Sequence, residues 1–271
     1  MTAMIINADD FAMTRETTVA IAKSFERGWC SSCSLMTNQP ATAEAVELAH
    51  ELKLSQHVGL HLVLNAGAPL SKAIRRCPRF CSEDGVFVFS REWPTFRLSN
   101  SEKSALADEI RAQIARCRRE FRLPLTHMDS HINTHTEWAV GSVMLKVARE
   151  EKIPYVRLAR NCGPGLGPLR RAYKSLFNRR VQAAGLARTR YIGSIDDCLY
   201  LLQSRKLEDI EPVEVMVHPD LDEQGNVINL PNGELLEESV QRLPGYEKAE
   251  SFSRHRYVST SSGVGRTLMD E

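Results

Sequence analysis

Met4-Ile5-Ile6-Asn7-Ala8-Asp9-Asp10-Phe11 is a short apolar run that ends in two consecutive carboxylates. Its apolar part, 4–8, is the length of a buried strand, and the acids stand where such a strand would stop. Working outward, 14–27 has helical periodicity, with Thr14 as its N-cap and Gly28 just beyond its end. Residues 30–37 read as strand, 41–52 as helix and 57–64 as strand. An irregular stretch follows to about residue 100, with Pro69, Pro78 and Pro94 and room for a small strand at 85–89. Helix resumes over 101–121 behind a Ser101 cap, then strand over 125–130. The helix at 138–150 places Val140, Val143, Met144, Val147 and Ala148 on one stripe. Strands are expected at 155–158, 191–195 and 213–217, with helices near 169–184 and 196–203. Strands alternating with helices imply βαβ units and a parallel sheet. About seven such units fit a closed or partly closed (β/α) barrel of the TIM-barrel kind, with outer helices. No repeat or linker divides the chain, so 1–271 is expected as a single catalytic domain with an irregular insertion at about 65–100.

Composition narrows the class. At 271 residues, 42% hydrophobic and 25% charged, the chain has the make-up of a folded globular protein. No apolar run approaches the ~18 residues of a membrane helix. The first ten residues read as a strand and not as a secretion signal, which points to the cytoplasm. Seven cysteines, an odd count, are then expected as reduced thiols. The net charge of +1 gives no bulk attraction to nucleic acid or an anionic membrane. One segment departs from this balance: Lys152 to Ile195 holds ten Lys and Arg and no acid. Its bland reading is a solvated basic helix face; its functional reading is a rim for an anionic ligand or an acidic partner surface.

Reactive side chains gather at the carboxyl ends of the expected strands, the face on which parallel α/β folds bind ligands. Asp9 and Asp10 end the first strand and His61 lies in the third. His127, Asp129 and His131 follow at spacings of two, then His135, and His218 ends the strand at 213–217. One carboxylate with two imidazoles makes a first-row divalent metal site with open positions. A second carboxylate beside it suits a general base, and a separate imidazole suits an acid for a leaving amine. Spacing leaves open which of Asp9 and Asp10 takes which role. Each group also has a bland reading: a helix cap, a hydrogen-bonded core histidine, a strand cap. His131 and His135 have the i, i+4 spacing of helical metal pairs, but Ile132 stands where the metalloprotease pattern requires glutamate.

Other spellings carry less. Cys30-Ser31-Ser32-Cys33 resembles a redox dithiol, yet a helix precedes it and a strand follows, the reverse of the order that lowers a thiol pKa. With Cys77 and Cys81 it is a weak candidate zinc site. Gly163-Pro164-Gly165-Leu166-Gly167 has Pro168 in place of the third glycine of a dinucleotide loop, and Gly263-Val264-Gly265-Arg266-Thr267 lacks the phosphate-loop lysine.

Five blocks in order resemble the YdjC/ChbG family of carbohydrate deacetylases. They are Asn7-Ala8-Asp9-Asp10-Phe11, Ser34-Leu35-Met36-Thr37-Asn38, Val58-Gly59-Leu60-His61-Leu62, Thr126-His127-Met128-Asp129-Ser130-His131 and Glu214-Val215-Met216-Val217-His218-Pro219. The resemblance implies a distorted (β/α) barrel, a divalent ion (magnesium or zinc), a homodimer, and removal of the acetyl group from N-acetylglucosamine units of short chitin-type sugars. It implies Asp10, His61 and His131 as metal ligands, Asp9 as the base and His218 as the acid. His127, Asp129 and His135 would line or brace the site, and Arg157 or Arg160 would reach an anionic or phosphorylated sugar. Ile132 and Asn133 depart from the histidine-rich run of some members, which bears on the choice of sugar. A non-haem iron oxygenase with a two-His-one-carboxylate site and a non-catalytic sugar-binding protein are the competing readings.

Overall fold

The computed structural model describes residues 4–90, 95–164, 167–204 and 212–254. The tail beyond Arg254, with its 263–267 glycine stretch, lies outside them, as do Pro94, Gly165 and Leu166. Six parallel strands form the central sheet: β1 (Met4–Phe11), β2 (Ser32–Leu35), β3 (Val58–Leu62), β4 (Met128–Ser130), β5 (Tyr191–Gly193) and β6 (Val213–Val217). Their order is β4-β3-β2-β1-β6-β5, and each neighbouring pair is parallel. The outer helices are α1 (Arg15–Glu26), α2 (Thr42–Glu51), α3 (Asn100–Ala115), α4 (Trp138–Glu150), α5 (Pro168–Ala183) and α6 (Ile195–Ser204). The sheet curls into a partial barrel. The strand expected at 155–158 is reduced to two bridges, Met128 with Val156 and Tyr155 with Ala187. Those bridges span the gap beside edge strand β4, while Asn161 N donates to Ile192 O of edge strand β5 at 3.1 Å.

Local chemistry explains most boundaries. Thr14 caps α1 by accepting from Thr17 N at 3.0 Å, and Gly28 takes the left-handed conformation just past the helix. The cap of α3 is Ser99 and not Ser101: Ser99 Oγ accepts from Glu102 N, and Glu102 Oε2 accepts from Ser99 N. That reciprocal pair satisfies two otherwise orphaned donors, which a lone serine two residues later cannot do. The small strand expected at 85–89 is a single bridge, Cys81 with Phe87. Periodicity also missed a three-stranded antiparallel sheet of β7 (Pro219–Leu221), β8 (Val227–Asn229) and β9 (Glu234–Leu235), followed by α7 (Leu236–Gln241). Strands this short carry too few residues to show alternation.

The barrel interior is partly polar. Its amino end is stoppered by Phe252, whose ring lies 4.3 Å from Tyr155 and 4.0 Å from His127. The flanking chain is tied to the strand starts by Glu250 N to Met4 O and Ser253 Oγ to Gln56 O, both 2.9 Å. His127 is therefore a core residue and not a lining residue of an open site. Burial pushes its pKa down to about 3, so the imidazole is neutral. It packs across Gly59 of β3, where a Cβ would stand 2.3 Å from its Cε1. Gly59→Ala should therefore force two neighbouring strands apart and cost about 1–3 kcal/mol. Thermal unfolding of that variant against the parent chain measures the loss.

Candidate functional site

The site begins with an irregularity in β1. Ala8 pairs with Cys33 and Phe11 with Leu35, so Asp9 and Asp10 together oppose one residue of β2. Asp10 takes φ 68°, a left-handed conformation uncommon for aspartate. This bulge sends two adjacent carboxylates in different directions. Asp9 turns to Arg157 in the barrel interior, whereas Asp10 meets the imidazoles of β3 and of the segment after β4.

Asp10 Oδ1 lies 2.9 Å from His61 Nε2 and 2.6 Å from His131 Nδ1. One ligand-capable atom from each of Asp10, His61 and His131 falls within 4.8 Å of the other two. The parallel register of β3 and β4 sets His61 beside Asp129, and His61 Nδ1 donates to Asp129 Oδ1 at 2.6 Å. That bond fixes the ring and leaves Nε2 turned toward Asp10 without hydrogen-bond geometry. A carboxylate behind an imidazole whose other nitrogen is orphaned is the arrangement found behind metal-bound histidines. Burial pulls the His61 pKa down, but Asp129 and Asp10 outweigh it and push it up to about 10. Burial would raise Asp10, yet the hydrogen bond to His131 and the His61 imidazole beside it hold it well below the usual carboxylate range. The pocket thus favours a cation beside these ligands, and the donor set of two nitrogens and one carboxylate fits a divalent one.

Beneath this group lies a buried charge network centred on Arg157. Its Nη1 and Nη2 clamp Asp9 Oδ2 and Oδ1 at 2.6 and 2.7 Å. Nη2 also lies 2.8 Å from Asp129 Oδ2, and Nε donates to Glu214 Oε1 at 2.6 Å. Tyr155 Oη donates to the other oxygen of Glu214. Asn7 Nδ2 adds a 2.9 Å bond to Asp9 Oδ1. Arg157 has no exposed surface, so it is a brace for three acids and does not extend to a sugar. Its own burial works against the charge, but Asp129, Asp9 and Glu214 hold it firmly protonated. Burial raises Glu214, whose Oε2 takes the Tyr155 proton donor.

His218 follows β6, and its Nε2 stands 3.8 Å from Asp9 Oδ2. Its backbone is pinned from both sides, N to Asn229 Oδ1 and O from Leu230 N, each 2.9 Å. The β7–β9 sheet thereby sets the height of this imidazole over Asp9. His135 is not beside His131 as helical spacing suggests, because Ile132 and Asn133 are both left-handed and break the turn. It points instead to Ser130 Oγ at 2.6 Å and packs edge-on to Phe177. Arg160 pairs with Asp197 on the flank of the barrel. The Cys30 and Cys33 thiols are buried, and burial pushes Cys30 up to about 12.

Sequence reasoning overlooked Glu214, Tyr155 and Asn7. The signal was present for two of them: Asn7 and Glu214 are polar residues inside apolar strand runs, and a buried polar group needs partners.

A family model described as YdjC-like protein matches residues 3–252. A carbohydrate deacetylase of Vibrio parahaemolyticus is 29% identical over 97% of this chain and 99% of its own length. Another, of Geobacillus stearothermophilus, is 31% identical over 79% of this chain and 78% of its own. In three dimensions the chain resembles a solved Enterococcus faecalis structure described as a cellobiose-phosphate cleavage protein. That match has a TM-score of 0.64 and 22% identity, covers 90% of this chain and 97% of the other, and speaks to fold alone.

Arg157→Met should leave Asp9, Asp129 and Glu214 buried without their counter-charge and destabilise the chain by about 3–5 kcal/mol. Urea unfolding at neutral pH measures this, and a loss below 1 kcal/mol would show that the network does not hold the interior together.

Proposed function

This chain belongs to the YdjC-like protein family, and from that premise we propose that it is a metal-dependent carbohydrate deacetylase. The observation that carries the reading is the shared pocket of Asp10, His61 and His131 beside Asp9 and His218. Asp10, His61 and His131 would hold the divalent ion, magnesium or zinc. When bound, such an ion lowers the pKa of a water molecule and polarises the carbonyl under attack.

The chain's own residues supply the proton movements. Asp9 Oδ1 accepts from both Arg157 and Asn7, while Oδ2 accepts from Arg157 and faces His218. Oδ2 is therefore the oxygen placed to take the proton of the attacking water. The Arg157 clamp holds that carboxylate in one rotamer, so little reorganisation precedes the transfer. His218, one-quarter exposed at the mouth, is positioned to give a proton to the nitrogen as the C–N bond breaks. The products are acetate and a free amino sugar.

We assign the substrate to N-acetylglucosamine units of short chitin-type sugars, with diacetylchitobiose as the first to try. We further propose one catalytic domain acting in the cytoplasm as a homodimer. No helix among the described residues is long and apolar enough to cross a membrane.

Acetate release from diacetylchitobiose should need added divalent metal, persist without oxygen, and fall by about 10²–10⁴-fold in Asp9→Asn. Activity that requires oxygen would turn the assignment toward an iron oxygenase. Tight sugar binding without turnover under any metal would make the chain a binding protein.

A further inference from the structure

Six buried side chains close a ring of polar contacts across the barrel interior. Asp9 Oδ1 accepts from Asn7 Nδ2 at 2.9 Å, and the same nitrogen donates to Ser34 Oγ at 3.2 Å. Ser34 Oγ stands 3.0 Å from His61 Nδ1, which also lies 2.6 Å from Asp129 Oδ1. Asp129 Oδ2 meets Arg157 Nη2 at 2.8 Å, and the guanidinium returns to Asp9. Parallel topology brings this about. Asn7 and Asp9 are two apart on β1 and share a face, while Ser34, His61 and Asp129 come from β2, β3 and β4 in turn. Each of the six residues is at most 3% exposed.

The ring joins the acid assigned as base to a proposed metal ligand by two arms. Arg157 and Asp129 form the charged arm, which balances the interior charge. Asn7 and Ser34 form a neutral arm, which charge balance does not require. Asn7 is also a poor choice for stability alone. Its Oδ1 is buried and has no hydrogen-bond partner among the described residues, and an orphaned acceptor destabilises a fold. Turning the amide over would not relieve this, because Oδ1 would then face the Asp9 carboxylate, acceptor against acceptor. What Asn7 does achieve is a fixed link. With the Asn7 donor on it, Ser34 Oγ keeps electron density turned toward the Nδ1 proton of His61, and bonds in such a chain strengthen one another. Acceptors at Nδ1 hold the ring and raise the basicity of Nε2, the atom beside Asp10. We propose that Asn7 and Ser34 are positioning residues that couple the cation group to the base, so that occupancy at His61 and the orientation of Asp9 are set together. For the role of Asp9 this rests on the deacetylase reading; the bridge to His61 stands apart from it.

Two measurements on the full-length chain, Asn7→Ala, Ser34→Ala and the double variant test the coupling. They are calorimetric zinc titration, with Asp10→Asn as the blank for zinc bound elsewhere, and acetate release from diacetylchitobiose. Asn7 reaches the ligands by hydrogen bond only through Ser34, yet Asn7→Ala should weaken zinc binding about tenfold. Ser34 reaches Asp9 only through Asn7, yet Ser34→Ala at saturating zinc should lower kcat about tenfold with KM unchanged. The double variant should lose no more than the larger single loss in each measurement, because the two side chains act as one unit. If Asn7→Ala does not fold, Asn7→Ser takes its place, since a serine keeps a polar group too short to span both partners. Unchanged zinc affinity in the Asn7 variant would overturn the proposal, as would losses that multiply in the double variant. With an active parent chain, unchanged kcat in Ser34→Ala would overturn it too. A parent chain that binds zinc and releases no acetate removes the deacetylase reading alone, and the zinc titrations then decide the coupling.

Discussion

The Arg157 guanidinium is the fixed charge on which the interior is organised. It is buried among Asp9, Asp129 and Glu214, and each contact is 2.8 Å or shorter. A barrel core of this width would ordinarily be filled by branched aliphatic side chains. Here it is filled by a charged lattice, which is stable only while every member keeps its partner. The lattice also determines what each acid can do. Asp9 is held by two parallel bonds, Asp129 is shared between Arg157 and His61, and Glu214 is capped by Tyr155.

From that lattice the ligand group follows. Asp129 holds the His61 ring by Nδ1, which aims Nε2 at Asp10, and the β1 bulge brings Asp10 to meet it. Four acids, Asp9, Asp10, Asp129 and Glu214, then share one permanent cation, and Asp10 is the one that Arg157 does not touch. The shortfall of positive charge is concentrated where two imidazoles converge, and it is the reason a divalent ion suits the pocket. The bulge is thus more than a local defect: without the extra residue in β1, both acids could not reach their separate partners.

Much of this was legible in the residues, for identifiable reasons. Strands β1, β3 and β6 are apolar runs bounded by polar chain, and the 213–217 expectation coincides with Val213–Val217. Histidines and acids at strand ends pointed to a shared face because parallel topology places those ends together. What stayed hidden depends on three-dimensional partners. Arg157 read as a base reaching for an anionic sugar because its segment is otherwise basic, and nothing along the chain shows that three acids converge on it. His127 shares the period of Asp129 and His131, yet Gly59 leaves a hollow that draws it into the core. His135 was displaced by two left-handed residues, Ile132 and Asn133, in a run whose composition does not demand that turn. Residues 155–158 lack strand status because they meet edge strand β4 through one isolated bridge and Ala187, ahead of β5, through another.

We propose that the lattice prepares one cation site at Asp10, His61 and His131. Anomalous scattering from crystals of the chain soaked in zinc or manganese tests it most directly. A single strong peak bonded to Asp10, His61 Nε2 and His131 is expected, with Asp9 still clamped by Arg157. A peak seated instead among Asp9, His61 and Asp129, the other acid–imidazole group in the interior, would contradict it, because that ion would displace the guanidinium.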